Sequence, residues 1–181
     1  MRDLKRAGVP FLAVAVVSLL IGGVYTKPSS AAANQDIVDN MAYMSKTAPS
    51  PSSTISLSTI VKAVNASGLA GTLHGTGPYT FFAPNDAAFN KLPAGTWDAV
   101  MNDQTKLKAF LMNLVVQGAL TRADLRKNGA KFTTLGGATL ETKVSAGHVY
   151  INDGKKSSVI VRGPTEGTNG AIYVVGDVPG L

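Results

Sequence analysis

Apolar residues along the chain change their period once, near residue 132, dividing it into a helical first part and a stranded second part. Between Asn34 and Lys46, Ile37, Met41 and Met44 recur at i, i+4 and i+7, the spacing of one helix face. Residues 47–53 interrupt that face with two prolines and a run of serines, as a surface loop should. Leu57, Ile60, Val61 and Val64 form the next helical face, with Ser53 or Thr54 placed to cap it and Ser67-Gly68 to end it. Tyr79 to Ala83 is a short strand, and Pro84-Asn85-Asp86 supplies a turn and a cap for a helix from Ala87 to Lys91. Thr96 is placed to cap a helix through Trp97 and Val100, and Asp103 a longer one carrying Leu107, Phe110, Leu111 and Leu114. Thr121 with Asp124 forms a capping box ahead of a stop at Asn128-Gly129. Beyond Phe132 the pattern alternates. Residues 139–144, 148–151, 158–162 and 171–175 read as strands separated by Gly-containing turns. One early strand, a series of short capped helices and a closing antiparallel meander predict an α+β fold rather than a parallel βαβ array.

The first 33 residues have a different character. Arg2, Lys5 and Arg6 precede an uncharged stretch from Ala7 to Thr26, and Ser29-Ser30-Ala31-Ala32-Ala33 follows with the small residues a signal peptidase accepts. The expected organisation is a signal peptide over 1–33, an N-terminal helix and Pro/Ser-rich loop over 34–53, and the main domain over 54–181. The rival reading of the first segment is a retained membrane anchor, since about 20 apolar residues span the hydrocarbon of a bilayer. Cleavage after Ala33 takes four of 17 basic and one of 11 acidic residues, and net charge falls from +6 to +3. Much of the basicity that would point to nucleic acid is therefore a targeting feature, and no nucleic-acid partner is expected.

The chain has no cysteine and two histidines, His74 and His148. Disulfides, thiolate nucleophiles and Cys-held metals are thereby excluded, and a three-His metal site with them. The serine-nucleophile patterns Gly-x-Ser-x-Gly and Ser-x-x-Lys are missing, as are the glycine-rich phosphate-binding and dinucleotide-binding patterns. No catalytic residue, cofactor or metal is expected. Arg122, Arg126, Lys127 and Lys131 recur at helical spacing; the plain reading is a solvated helix face, and the functional one a contact for an anion or acidic glycan.

Two segments together carry a resemblance. Thr80-Phe81-Phe82-Ala83-Pro84-Asn85-Asp86-Ala87-Ala88-Phe89 and, about eighty residues on, Asn169-Gly170-Ala171-Ile172-Tyr173-Val174-Val175-Gly176-Asp177-Val178 resemble the two blocks of the fasciclin domain family. The resemblance runs from about Asp36 to Leu181 and is like that of small secreted bacterial members. It implies a wedge of mainly antiparallel strands with short helices packed along it. In chemical terms Thr80, Phe81, Phe82, Ala83, Pro84, Asn85, Asp86 and Phe89 read as anchors, turn and cap, and Asn169, Gly170, Ile172, Tyr173 and Asp177 as a turn running into a core strand. The implied function is a secreted, periplasmic or cell-surface interaction module, non-catalytic, engaged in adhesion or in contact with an extracellular or envelope protein or glycan. The alternative is a periplasmic carrier of a small molecule or lipid in a groove between strands and helices. A membrane contact is expected only through a retained N-terminal segment. Many relatives place a Tyr-His pair between the blocks and an Asp-Ile pair before the second, both linked to receptor adhesion. Here those positions hold Asn113-Leu114 and Pro164-Thr165, so neither contact is expected.

Overall fold

The computed structural model describes residues 35–46 and 55–180. The expected signal peptide, its cleavage at Ala33, the Pro/Ser-rich loop and the expected caps Ser53 and Thr54 lie outside these residues. Among the described residues, seven helices and seven strands follow one another as α1 (Ile37–Lys46), α2 (Ser58–Ser67), α3 (Ala70–Leu73), β1 (Tyr79–Pro84), α4 (Asp86–Phe89), α5 (Thr96–Met101), α6 (Gln104–Met112), β2 (Val115–Gln117), α7 (Arg122–Leu125), β3 (Lys131–Thr133), β4 (Thr139–Ser145), β5 (His148–Asn152), β6 (Ser157–Gly167) and β7 (Gly170–Val175). The strands form one mixed sheet in the order β2-β1-β7-β6-β5-β4-β3, antiparallel except where β1 lies parallel to β7. A bridge between Val116 and Thr134 brings the two ends of the sheet together.

The apolar runs of β1 and β7 are continuous because these two central strands are covered on both faces. Side chains alternate across them, so consecutive residues enter different cores. Phe81, Ala83, Ile172 and Val174 face the helices, meeting Ile37 and Met41 of α1, Ile60 and Val64 of α2, and Leu107 and Leu111 of α6. Phe82, Tyr173 and Val175 face the other way, toward Leu125 of α7, Leu140 of β4 and Ile151 of β5. Aromatic packing fixes both sides: Phe89 lies 4.4 Å from Trp97, Trp97 5.6 Å from Phe110, and Phe82 stacks on Tyr173 at 5.9 Å.

Helix starts depart from expectation in instructive ways. Asp103 caps α6 through the backbone N–H groups of Thr105 (3.0 Å) and Lys106 (3.1 Å), as its position predicts. The Thr121–Asp124 capping box also forms at α7. Thr96, however, is already inside α5, whose N-cap is Gly95 in a left-handed conformation. The helix after the first block is shorter than predicted, ending at Phe89, and its cap is Asn85, which accepts from Ala88 N at 2.8 Å. Asp86 is thereby free for a distant task. Its carboxylate accepts from Thr59 N at 2.8 Å, supplying the α2 N-terminus with the cap that Leu57, the N-cap residue, lacks. Two strands go beyond the expected set, β2 and β3, each three residues long. Strand β6 runs five residues past its predicted end, with two register shifts flanking Arg162.

Candidate functional site

The capping box at Thr121 starts α7 at the position that sends Arg122 across to β6. There the Arg122 guanidinium donates to Gly163 O, through Nε at 2.7 Å and through a second N–H. Position 163 requires glycine for its own packing, since its φ is +139° and a Cβ would lie 2.5 Å from the Tyr173 ring. The bulges of β6 place extra residues against β7 on either side of Arg162, and such bulges re-aim side chains away from the regular pleat. Val161 and Arg162 are both exposed, consecutive residues on a strand that ordinarily alternates. His148 opens β5 after the Ala146-Gly147 turn and donates Nδ1–H to Ala146 O at 3.1 Å.

These elements enclose a pocket of about 160 Å³ whose polar walls are Arg122, Arg126, Arg162 and His148 and whose apolar surface includes Val161 and Tyr173. Every arginine of the described residues lines it. The four ion pairs among the described residues use Lys91, Lys106, Lys127 and His74, and none uses an arginine. No carboxylate lines the pocket. Tyr173 forms its inner side, its hydroxyl donating to Leu120 O at 2.9 Å; burial raises its pKa, against an opposing influence of the Arg122 charge.

The basic stripe expected from spacing is reorganised. Only Arg122 lies within α7, which ends at Leu125; Arg126 is its C-cap residue, and Lys131 belongs to β3. Lys127 pairs with Asp124 at 3.0 Å. That lysine and the hydrogen bonds from Thr121, the hydroxyl first, lower the Asp124 pKa to about 2. Arg122 and Arg126 therefore come together, Lys127 and Lys131 do not join them, and the partners they gain are Arg162 and His148, which spacing along the chain does not reveal.

The residues of the two blocks lie in the frame behind the pocket. Thr80 is buried, its hydroxyl donating to Gly118 O at 2.7 Å and accepting from Leu120 N at 2.9 Å. Phe81 and Phe82 are fully buried in opposite cores, Ala83 and Pro84 continue the pairing with β7, and Phe89 packs on Trp97. Asn169 is the most connected side chain of the second block. It accepts from Ile37 N at 3.0 Å and donates to Leu73 O at 2.7 Å and Gly75 O at 2.9 Å, tying α1 and the end of α3 to the start of β7. Gly170 packs so closely on β1 that a Cβ would lie 1.9 Å from Tyr79 O. Ile172 fills the helix-side core, and Asp177 accepts from Lys91 Nζ at 2.9 Å. His74 pairs with Asp36, the residue whose carboxylate caps α1 through Val38 N and Asp39 N. Asn113 receives a hydrogen bond from the Thr134 hydroxyl at 3.4 Å, Leu114 is fully buried, and Pro164-Thr165 lies in the bulged part of β6.

A larger cleft of about 590 Å³ adjoins the arginine pocket and shares Arg122 with it; Pro78, Leu120, Pro164 and Asn169 are among its walls. It opens at the rim of the sheet, where β1, β6 and β7 meet the β2–α7 loop, rather than in the expected groove between strands and helices. Among the described residues no His, Asp and Glu gather as three potential metal ligands, and no helix is long and apolar enough to cross a membrane.

A single α+β unit whose two central strands are buried on both faces, with a cationic pocket on its strand-rich side, defines a scaffold that presents a surface. Comparison with known proteins gives the family. The fasciclin domain model matches residues 56–178, and the chain belongs to that family. It is 30% identical over 175 residues to the Synechocystis protein sll1483, covering 91% of this chain and 94% of that one. It is 33% identical over 110 residues to the cell surface glycolipoprotein MPB83 of Mycobacterium bovis, covering 61% of this chain and 46% of MPB83. The fold matches that of a FAS1 domain pair from the insect cell adhesion molecule Fasciclin I, with a TM-score of 0.62 and 18% identity over 81% of this chain and 51% of that one. The chain thus spans nearly all of the cyanobacterial relative and about half of the other two.

Proposed function

We propose that this protein is a non-catalytic, adhesion-type module of the cell surface or extracellular space that engages an envelope or matrix macromolecule through its arginine-lined face. The observation that carries this reading is the meeting of Arg122, Arg126 and Arg162 on one concave surface with no carboxylate of the described residues paired to any of them. Three guanidinium groups on one surface, none of them paired with a carboxylate of the described residues, favour a negatively charged partner. The pocket walls carry no serine, threonine or carboxylate to combine with His148, which supports recognition over bond-breaking chemistry. The similarity to a cell surface glycolipoprotein and to a cell adhesion molecule supports the location and the adhesive role.

The test is retention of envelope fractions from the producing cell on the immobilised chain, at low and high salt, with an Arg126→Glu plus Arg162→Glu double variant beside it. Retention by the wild-type chain that falls in the variant and at high salt is the expected result. Absence of retained envelope material, or equal retention by the variant, would overturn the proposal. The volume of the neighbouring cleft lies in the range of small-molecule sites and favours a second reading as a small-molecule or lipid carrier. Native mass spectrometry of the freshly purified protein separates the two, because a carrier retains a co-purifying ligand of defined mass.

A further inference from the structure

We infer that the arginine pocket is a subsite for one acidic sugar residue, a six-membered ring bearing a carboxylate or sulfate, within a longer anionic glycan. The inference rests on the proposed adhesive reading and gives it a ligand class. Three observations converge on it, beginning with charge. Arg126 and Arg162 donate no side-chain hydrogen bond to any described residue, and Arg122 commits its Nε and one further N–H to Gly163 O alone. A guanidinium carries five N–H donors in a planar fork that matches the paired oxygens of a carboxylate or sulfate. Arg122 is thus held in place while keeping donors to offer, and Arg126 and Arg162 keep all of theirs.

Size and surface narrow the class further. A cavity of about 150 Å³ accepts a benzene ring, and this pocket measures about 160 Å³. A six-membered ring can seat one face in this half-open pocket with its remaining substituents directed to solvent, whereas an aspartate or glutamate side chain of an acidic peptide would leave much of the space unfilled. Val161, one of two large apolar side chains that stand exposed among the described residues, lies on the wall with Val149 and Ile160 beside it. A sugar ring has an apolar C–H face for such a surface and polar groups at its edge for the arginines. An isolated inorganic anion would leave Val161 uncovered. The bulged segment of β6 supplies both halves of the recognition from adjacent residues, Val161 for the ring and Arg162 for the charge.

Titration calorimetry and amide NMR of the full chain with a short uronate oligomer test the inference. A neutral oligomer of the same linkage, inorganic sulfate, an acidic peptide and anionic phosphatidylglycerol vesicles are run in parallel. Expected are shifts centred on Gly147, Val161 and Arg162, with affinity lowered about tenfold or more by Arg126→Gln or Arg162→Gln, each removing a charge-assisted contact. Lys127→Gln and Lys131→Gln should leave binding unchanged, and circular dichroism should report native folding for all four variants. Binding of the neutral oligomer as tightly as the uronate would overturn the inference. So would full affinity in the arginine variants, or tighter binding of sulfate, peptide or vesicles than of the uronate. If the uronate fails while envelope material is still retained in an arginine-dependent way, the sugar assignment falls and the adhesive reading stands. If neither is retained, both fall.

Discussion

The two hydrophobic cores separated by β1 and β7 are built from neighbouring residues of the same strands, yet they differ in how completely they settle their polar groups. On the helix side the devices are closed. Asp36 caps α1, Asp86 caps α2 from another element, Asp103 caps α6, and Asn169 makes three hydrogen bonds from a buried position. On the sheet side the core is smaller and the accounts are open. The Ser158 hydroxyl is buried without a hydrogen-bond partner, and the three arginines nearby are in no ion pair. Strands long enough to bulge and a thin core leave room for side chains that are not needed for folding. The proposed recognition surface lies on the side whose packing constrains it least.

The strongest challenge to this comparison is a pair of adjacent substitutions. Phe81→Ala and Phe82→Ala should each cost about 3–5 kcal/mol in urea unfolding, the usual range for a buried phenylalanine. Hydrogen exchange should separate them, with α1, α2 and α6 opening first in the former and α7, β4 and β5 in the latter. Identical exchange patterns would merge the two cores into one cooperative unit. Next comes Asn169→Ala. It strands the Ile37 N–H and two backbone carbonyls in a buried place, with an expected loss of about 3 kcal/mol at the urea midpoint. Asp86→Ala should cost about 1 kcal/mol, read the same way, because it uncaps α2 while leaving Asn85 to cap α4.

Acid should act in the same direction. Burial raises the carboxyls of Asp36 and Asp86, but hydrogen bonds outweigh it and hold both below the ordinary value: from Asp39, His74 and Val38 at Asp36, and from Ser56, Thr59 and Ser58 at Asp86. Asp103 is lowered chiefly by hydrogen bonds from Lys106, and Asp124 stands at about 2. A carboxylate whose folded pKa lies below its unfolded value, about 3.9, contributes stability that is complete well above that value and lost as pH falls through the folded pKa. Thermal melts should therefore show Tm declining from about pH 5 toward pH 2. A flat profile would mean that these caps carry little of the fold. The smallest expected effect is Ser158→Ala, within about 1 kcal/mol and neutral or stabilising, since it removes a buried hydroxyl that has no partner. A large loss there would show the sheet-side core to be as tightly specified as the other.

What the sequence discloses follows the same division. The run Tyr79 to Ala83 reads as a short strand because local composition suffices, and the structure extends it by one residue, to Pro84; the caps at Asp103 and Thr121 read correctly because they act within one turn of themselves. Asp86 is legible as a capping residue but not as the cap of α2, since its partner Thr59 lies 27 positions away. Strand β2 has only three residues and pairs with β1 across the intervening helices, so no local period announces it. The arginine pocket is half legible. Arg122 and Arg126 share a stretch of chain, but Arg162 joins them through a bulge that depends on the register of β6 against β7. Lys131 falls in with them only if the helical period runs past Leu125, where the helix ends.

The bridge between Val116 and Thr134 has a consequence for how such a module behaves when many copies crowd one surface. Open sheet edges invite strands from other molecules, and proteins suppress this by shortening or covering them. Here both terminal strands of the sheet are three residues long, and they lean on each other, with Leu135 N donating to Val115 O at 2.8 Å beside the bridge. Little backbone is left to template a fibre. Copies packed side by side are thereby discouraged from joining strand to strand, which leaves the proposed contact to side chains of the arginine pocket.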